Sequence, residues 1–173
     1  MKNTTHTSNN KGFALLFAVL ISSVLLSIGI SIFNLTLKEL ILSSSGRESQ
    51  FAFYAADTGA ECALYWDAKG VDIFATSSNP RTAVPANPDC VGQAITIDNF
   101  VGARTPSYAA TRFNVSIPNR DYLGNSAPYC AIVTVSKTLV GGIVKTDIDS
   151  RGYNMDCAST DPNKVERGLQ VHY

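Results

Sequence analysis

Three patterns follow one another along the chain. Residues 13–37 contain no charge and are largely apolar, and a helix of 25 such residues is ~37 Å long, enough to cross a hydrocarbon core of about 30 Å. Lys38-Glu39 closes that run and Leu40-Ile41-Leu42 resumes it. Beyond Ser43-Ser44-Ser45-Gly46, residues Phe51, Tyr54, Ala55, Thr58, Cys62, Tyr65 and Trp66 recur at helical spacing. Arg47, Glu48, Asp57, Glu61 and Asp67 supply a polar complement. No proline occurs before Pro80, so one helix is predicted from Phe13 to about Trp66, ~80 Å long. Gly29 and Gly46 stand as candidate bends, each costing about 1 kcal/mol relative to alanine.

Residues 68–88 are rich in Gly, Asp, Ser, Asn and Pro and read as a loop. The period then falls to two. Residues 94–98, 111–117, 129–139, 143–150 and 165–173 read as strands, with Gly141-Gly142 as a tight hairpin turn. An antiparallel sheet of four or five strands with one face against the helix follows, an α+β fold.

Lys2 and Lys11 precede the apolar run, and residues 1–10 carry no acid, so the positive-inside bias predicts a single pass with the amino end in the cytoplasm. The run is too long for a secretory signal and no Ala-x-Ala-like site closes it. An uncleaved anchor and a processed membrane helix are both open at this point.

The junction Lys11-Gly12-Phe13-Ala14-Leu15-Leu16-Phe17 resembles the cleavage site of bacterial type IV prepilins. The segment Gln50-Phe51-Ala52-Phe53-Tyr54-Ala55-Ala56-Asp57-Thr58-Gly59-Ala60-Glu61 is similar to the stretch after the membrane helix in PilX-type minor pilins, with Asp57 where that family has Glu. The resemblance implies a pilin-like fold: a long amino-terminal helix packed on an antiparallel sheet. It implies a leader, residues 1–12, removed by prepilin peptidase between Gly12 and Phe13, with N-methylation of Phe13. Loss of the leader removes two lysines and no acid, taking the formal charge from 0 to −2. The implied division is leader 1–12, membrane or filament-core helix 13–42, exported half of the same helix 43–67, and sheet domain 68–173. The implied partners are other pilin subunits, the assembly platform, prepilin peptidase and the membrane.

One position departs from the family pattern. Major pilins usually carry Glu at the fifth place after the cut, where its carboxylate is thought to meet a neighbour's amino terminus; here that place is Phe17. Certain minor pilins and pseudopilins lack the Glu too, so the departure argues against a main shaft subunit. An ionised side chain in lipid costs at least ~2.5–3.5 kcal/mol, so Phe17 enters a bilayer more easily but neutralises nothing.

Cys62, Cys90, Cys130 and Cys157 all follow the apolar run and form no CxxC or CxH pair, which disfavours zinc and thioredoxin-like chemistry. An even number of scattered cysteines in an exported domain reads as two disulfides. Four cysteines allow three pairings and the sequence does not choose among them. The expected pairs are Cys62–Cys90 and Cys130–Cys157, the second closing a carboxy-terminal loop similar to the disulfide-bounded region of many pilins.

Candidate chemistry changes this picture little. Lysine plus arginine equals aspartate plus glutamate at 14 each, and Arg104, Arg112, Arg120 and Arg151 form no basic run, so no obligate nucleic-acid partner is expected. The histidines, His6 and His172, lie near the two ends, and no HExxH, GxSxG or phosphate-loop motif occurs, so no catalytic residue and no cofactor is expected. Asp147 and Asp149 share a strand face and Asp156 and Asp161 flank Cys157, but this spacing does not specify the six or more oxygens of a calcium site, and no metal is expected. Ser22, Ser23, Ser27 and Ser31 make a small, weakly polar ridge on the apolar run that lets helices approach closely. Two functions remain: a minor pilin or pseudopilin that joins a filament through its helix, or a single-pass surface binding protein that never polymerises.

Overall fold

The structure is a computed structural model that describes residues 11–69, 73–76, 88–95, 97–99, 105–118 and 128–173. Residues 1–10 of the expected leader, most of the loop expected over 68–88, and Arg104 and Arg120 lie outside the described residues. The helix α1 (Lys11–Ala68) is uninterrupted at Gly29 and Gly46. The chain divides into two units, Met1–Ser45 and Gly46–Tyr173, so residues 46–68 of α1 belong with the sheet.

In the second unit, β1 (Asp89–Cys90) and β2 (Gln93–Ala94) form a small hairpin. The main sheet has five antiparallel strands in chain order: β3 (Ile97–Asn99), β4 (Tyr108–Ile117), β5 (Tyr129–Val140), β6 (Ile143–Tyr153) and β7 (Glu166–His172). Every link between neighbouring strands joins chain-adjacent elements, which suits an antiparallel meander. The expected strand 94–98 is divided. Gln93–Ala94 pairs back on β1, Ile95 turns its side chain into the core, and Ile97 begins the strand beside β4. The turn of that small hairpin places Val91 at φ 54° beside Gly92 at φ 69°.

Alternation assigns the two sheet faces. Phe113, Val115, Val133, Val135, Ile148 and Ser150 are buried on the helix side, whereas Arg112, Asn114, Asp147, Arg151 and Gln170 are exposed on the other. Gly141 and Gly142, at φ 60° and 85°, close the β5–β6 hairpin as the two-residue turn the sequence predicts, with Val140 opposite Ile143.

The helix face against the sheet differs from the aromatic stripe expected from sequence. Ala52, Ala55, Ala56, Gly59, Ala60, Ala63 and Trp66 are buried, while Phe53, Tyr54 and Tyr65 are exposed. Size is the reason. The sheet fills the space with Phe113, Val133, Val135 and Ile148, so along residues 52–63 the helix comes close and only small side chains fit between, while Trp66 packs into the core beyond them. A Cβ added at Gly59 would lie 2.6 Å from Ser150 Oγ and 2.7 Å from Val133 Cγ2, and one at Gly152 would overlap the backbone of Ala52 and Ala56.

Candidate membrane anchor and helix seat

In the first unit every large apolar side chain from Phe13 to Leu42 is exposed, and none has a partner face within the unit. A helix apolar on all sides is stable only where something apolar surrounds it. This helix is long and apolar enough to cross a membrane, compatible with a single-pass anchor. Beyond its first turn its backbone N–H groups bond within the helix, as hydrocarbon requires. The hydroxyls conform too: Ser22 Oγ donates to Ala18 O (2.8 Å), Ser23 Oγ to Leu20 O (2.8 Å), Ser31 Oγ to Ser27 O (2.9 Å) and Thr36 Oγ1 to Ile32 O (2.9 Å). Ser23, Ser27 and Ser31 recur every fourth residue and so line one side, with Ser22 beside them. The Gly12–Phe13 bond lies in the first turn of α1, and the Phe13 and Phe17 rings stack with centroids 6.4 Å apart.

In the second unit, polar and covalent ties fix residues 46–68 on the sheet along their whole length. At the start, Asn154 Nδ2 donates to Glu48 Oε2 (3.0 Å), Arg167 Nε to Ser49 Oγ (2.7 Å), and Phe51 stacks on Tyr129 at 4.8 Å. In the middle, buried Ser150 Oγ donates to Ala56 O at 2.6 Å. That hydroxyl fills the fourth-neighbour crevice of the helix where a larger residue would hold it off. Near the end, Cys62 is bonded to Cys90, and Trp66 Nε1 donates to Asp89 O at 3.0 Å. Asp67 is paired with Lys137, both largely buried, and accepts a hydrogen bond from Tyr173 Oη at 2.7 Å. Burial and that bond raise the Tyr173 hydroxyl well above the ordinary tyrosine range.

No family model, curated protein or solved structure matches this chain. The reading of the site therefore rests on its own geometry.

Both disulfides join the expected partners, Cys62 with Cys90 and Cys130 with Cys157, with Cα atoms 6.0 and 5.3 Å apart. The second ties β5 to the loop between β6 and β7. Asn154 and Lys164 order the same loop: Asn154 Oδ1 accepts from Val165 N at 2.8 Å, and Lys164 Nζ donates to Cys157 O (2.7 Å) and Ser159 O (3.1 Å) over the Tyr153 ring. The acids considered for a cation are not gathered. Asp147 is paired with His172, Asp149 with Arg151, and the carboxylates of Asp156 and Asp161 accept from Ala158 N and Asn163 N in their own turns. Among the described residues no three His, Cys, Asp or Glu side chains come together as a metal site would need. Asp149 and Glu166 raise the Arg151 guanidinium, and burial with the Glu166 bond raises the Tyr153 hydroxyl, so this exposed cluster is a charge network on the outer sheet face.

The sequence left the Asp67–Lys137–Tyr173 tie and the Asn154 hub unseen. A faint signal existed for the first. Lys137 falls on the inward register of β5 with Val133 and Val135, where a cation demands a buried acid. Asn154 carried no such signal, because it lies beyond the regular alternation of β6.

Proposed function

We propose that the chain is a structural subunit of a bacterial type IV filament system, a minor pilin or pseudopilin. Prepilin peptidase cuts it between Gly12 and Phe13 on the cytoplasmic side, and Phe13 becomes the N-methylated first residue. Residues 13–42 hold it in the cytoplasmic membrane and later pack among the helices of neighbouring subunits. The sheet domain is exported to a periplasmic or extracellular setting, where its disulfides persist.

The observation that carries this reading is a helix apolar on every side and uncovered within its own unit, opening at Lys11-Gly12-Phe13. Its assignment as α1 continues into a segment seated on an antiparallel sheet by small residues. Phe17 in place of an acid supports a minor place in the filament over the shaft. The work of such a subunit is mechanical.

Amino-terminal sequencing and mass measurement of the mature protein test the proposal. The expected product begins at Phe13 and carries one added methyl group. A product beginning at Met1 would identify an uncleaved surface anchor, and one beginning after residue 42 would remove the filament role altogether.

A further inference from the structure

The tip of the β5–β6 hairpin is apolar on both faces. Residues Leu139, Val140, Gly141, Gly142, Ile143 and Val144 offer six positions in a row without a polar side chain. Leu139 is 38% exposed, Val140 51%, Ile143 69% and Val144 43%. Exposed hairpin ends are ordinarily polar, and a run of exposed apolar residues points to function. The fold does not demand this one. The two glycines satisfy the turn, and the ladder pairs Val140 with Ile143 and Leu139 with Val144 whatever their side chains. Opposite residues of an antiparallel pair share a face and successive pairs alternate, so one pair looks each way.

That arrangement discriminates among occupants. Four aliphatic side chains fall well short of the about 800 Å² per partner of a stable protein interface, and a second copy would have to wrap both faces of a narrow projection. A fluid apolar medium touches both faces at once and needs no matched shape. The ladder bonds already occupy backbone groups at the tip, so few unpaired polar atoms would enter with the side chains. Immediately behind the tip stands Lys145, exposed and without an ion pair among the described residues. Beside it lies half-exposed Tyr173, whose backbone bonds to Thr146. An unpaired cation at that level suits an anionic headgroup layer. The Lys137 charge is met by Asp67, and Asp147, hydrogen-bonded to His172, lies two residues further from the tip than Lys145.

We propose that the β5–β6 tip is a lipid-contacting element that inserts Val140 and Ile143 into the headgroup–acyl boundary of an anionic bilayer. This stands independently of the filament role.

The test uses the full chain held in a lipid nanodisc by its apolar helix. An Ile143→Cys variant carries an environment-sensitive dye, the four native cysteines being paired. Acceptor vesicles are phosphatidylcholine alone or with phosphatidylglycerol. The dye should brighten and be quenched by brominated acyl chains; placing the bromine in nanodisc or vesicle lipid tells which bilayer is entered. Val140→Asp with Ile143→Asp should weaken vesicle retention in flotation about tenfold or more. The strand-compatible pair Val140→Thr with Ile143→Thr should weaken it in the same direction, with Trp66 fluorescence reporting an intact fold. Lys145→Glu should lower retention on anionic vesicles about fivefold and leave neutral ones unchanged. A dye that stays in water with both vesicle types, retention unaffected by either pair, or lipid-free self-quenching showing tip-to-tip association would overturn the proposal.

Discussion

Gly152 lies in β6 directly beneath α1, and a methyl group there would overlap the carbonyl oxygen of Ala52 and the amide nitrogen of Ala56. Both are backbone atoms of a helix tied down by Cys62–Cys90, by Ser150 and by Asp67, so no side-chain rotation relieves the overlap. Gly152→Ala must therefore lift the helix or bend the strand. Overpacking in a fitted core costs about 1–3 kcal/mol, and a clash with backbone on both sides belongs at the upper end, about 3 kcal/mol. Separation of helix and sheet would also lengthen the Ser150–Ala56 bond, now 2.6 Å, whose loss costs about 1 kcal/mol more. At about 4 °C per kcal/mol the melting temperature should fall by roughly 12–16 °C. Gly168→Ala is the internal control, because nothing lies within 4 Å of a Cβ at that exposed β7 position. It should be neutral, or stabilising by up to ~1 kcal/mol through a less disordered unfolded chain. The assay is thermal unfolding of the full chain in detergent, followed by the single tryptophan, Trp66, which is buried and bonded to Asp89. If Gly152→Ala melts within about 1 kcal/mol of Gly168→Ala, the account of a helix held at closest approach is wrong.

Three further outcomes follow from other contacts. Lys137→Met should destabilise the sheet domain by about 3 kcal/mol because it strands the largely buried Asp67 carboxylate; Asp67→Asn should rescue part of that loss, and additive effects in the double variant would refute the pairing. The Tyr173 hydroxyl is raised by burial and by Asp67, so an unfolded chain gives up this proton first. The contribution is whole below about pH 10 and fades as pH climbs above it; melting temperature should decline more steeply between pH 9.5 and 11 in the native chain than in Tyr173→Phe, and equal slopes would refute it. Replacing Ser23 and Ser27 by Leu should leave membrane extraction unchanged but reduce recovery of the subunit in sheared filaments, since the ridge loses its close approach; full recovery would remove the ridge from assembly.

How much of this was legible depended on whether a signal was local. The apolar run, the glycine pair at 141–142 and the period-two strands are local patterns, and the helix, the hairpin and the five-stranded sheet follow them closely. The helix seat departs from the aromatic stripe because the fit of small residues outweighs apolar area. Tyr54 and Tyr65 carry more apolar area than Ala55 or Ala63, yet the deciding quantity was the room left by Phe113 and Val133 across the gap, which no window along the helix contains. The alternation Ala52, Ala55, Ala56, Gly59, Ala60, Ala63 was equally visible and is the better helical period. The division of the strand expected at 94–98 turned on Val91-Gly92, a turn with a non-glycine residue at positive φ that sequence rules do not favour.

Residue size also explains how one helix suits two surroundings. Along 46–68 the sheet supplies the bulk and the helix supplies the gaps, a fixed match to one partner. Along 13–42 bulky apolar residues are exposed in every direction, and the hydroxyls of Ser22, Ser23, Ser31 and Thr36 return to their own helix at 2.8–2.9 Å. A hydroxyl bonded within its helix loses no partner on entering hydrocarbon, and loses none when a neighbouring helix replaces the lipid. On the proposed role, passage from bilayer to filament core then exchanges one apolar contact for another while these hydroxyls keep their partners, Asn34, Lys38 and Glu39 being the exceptions. Phe17 obeys the same rule. A carboxylate at that place would need a counter-charge in the filament and protonation or pairing in the membrane, whereas phenylalanine needs neither. The same substitution leaves a neighbour's amino terminus unanswered, so such a subunit fits only where that charge need not be met, as at a filament end.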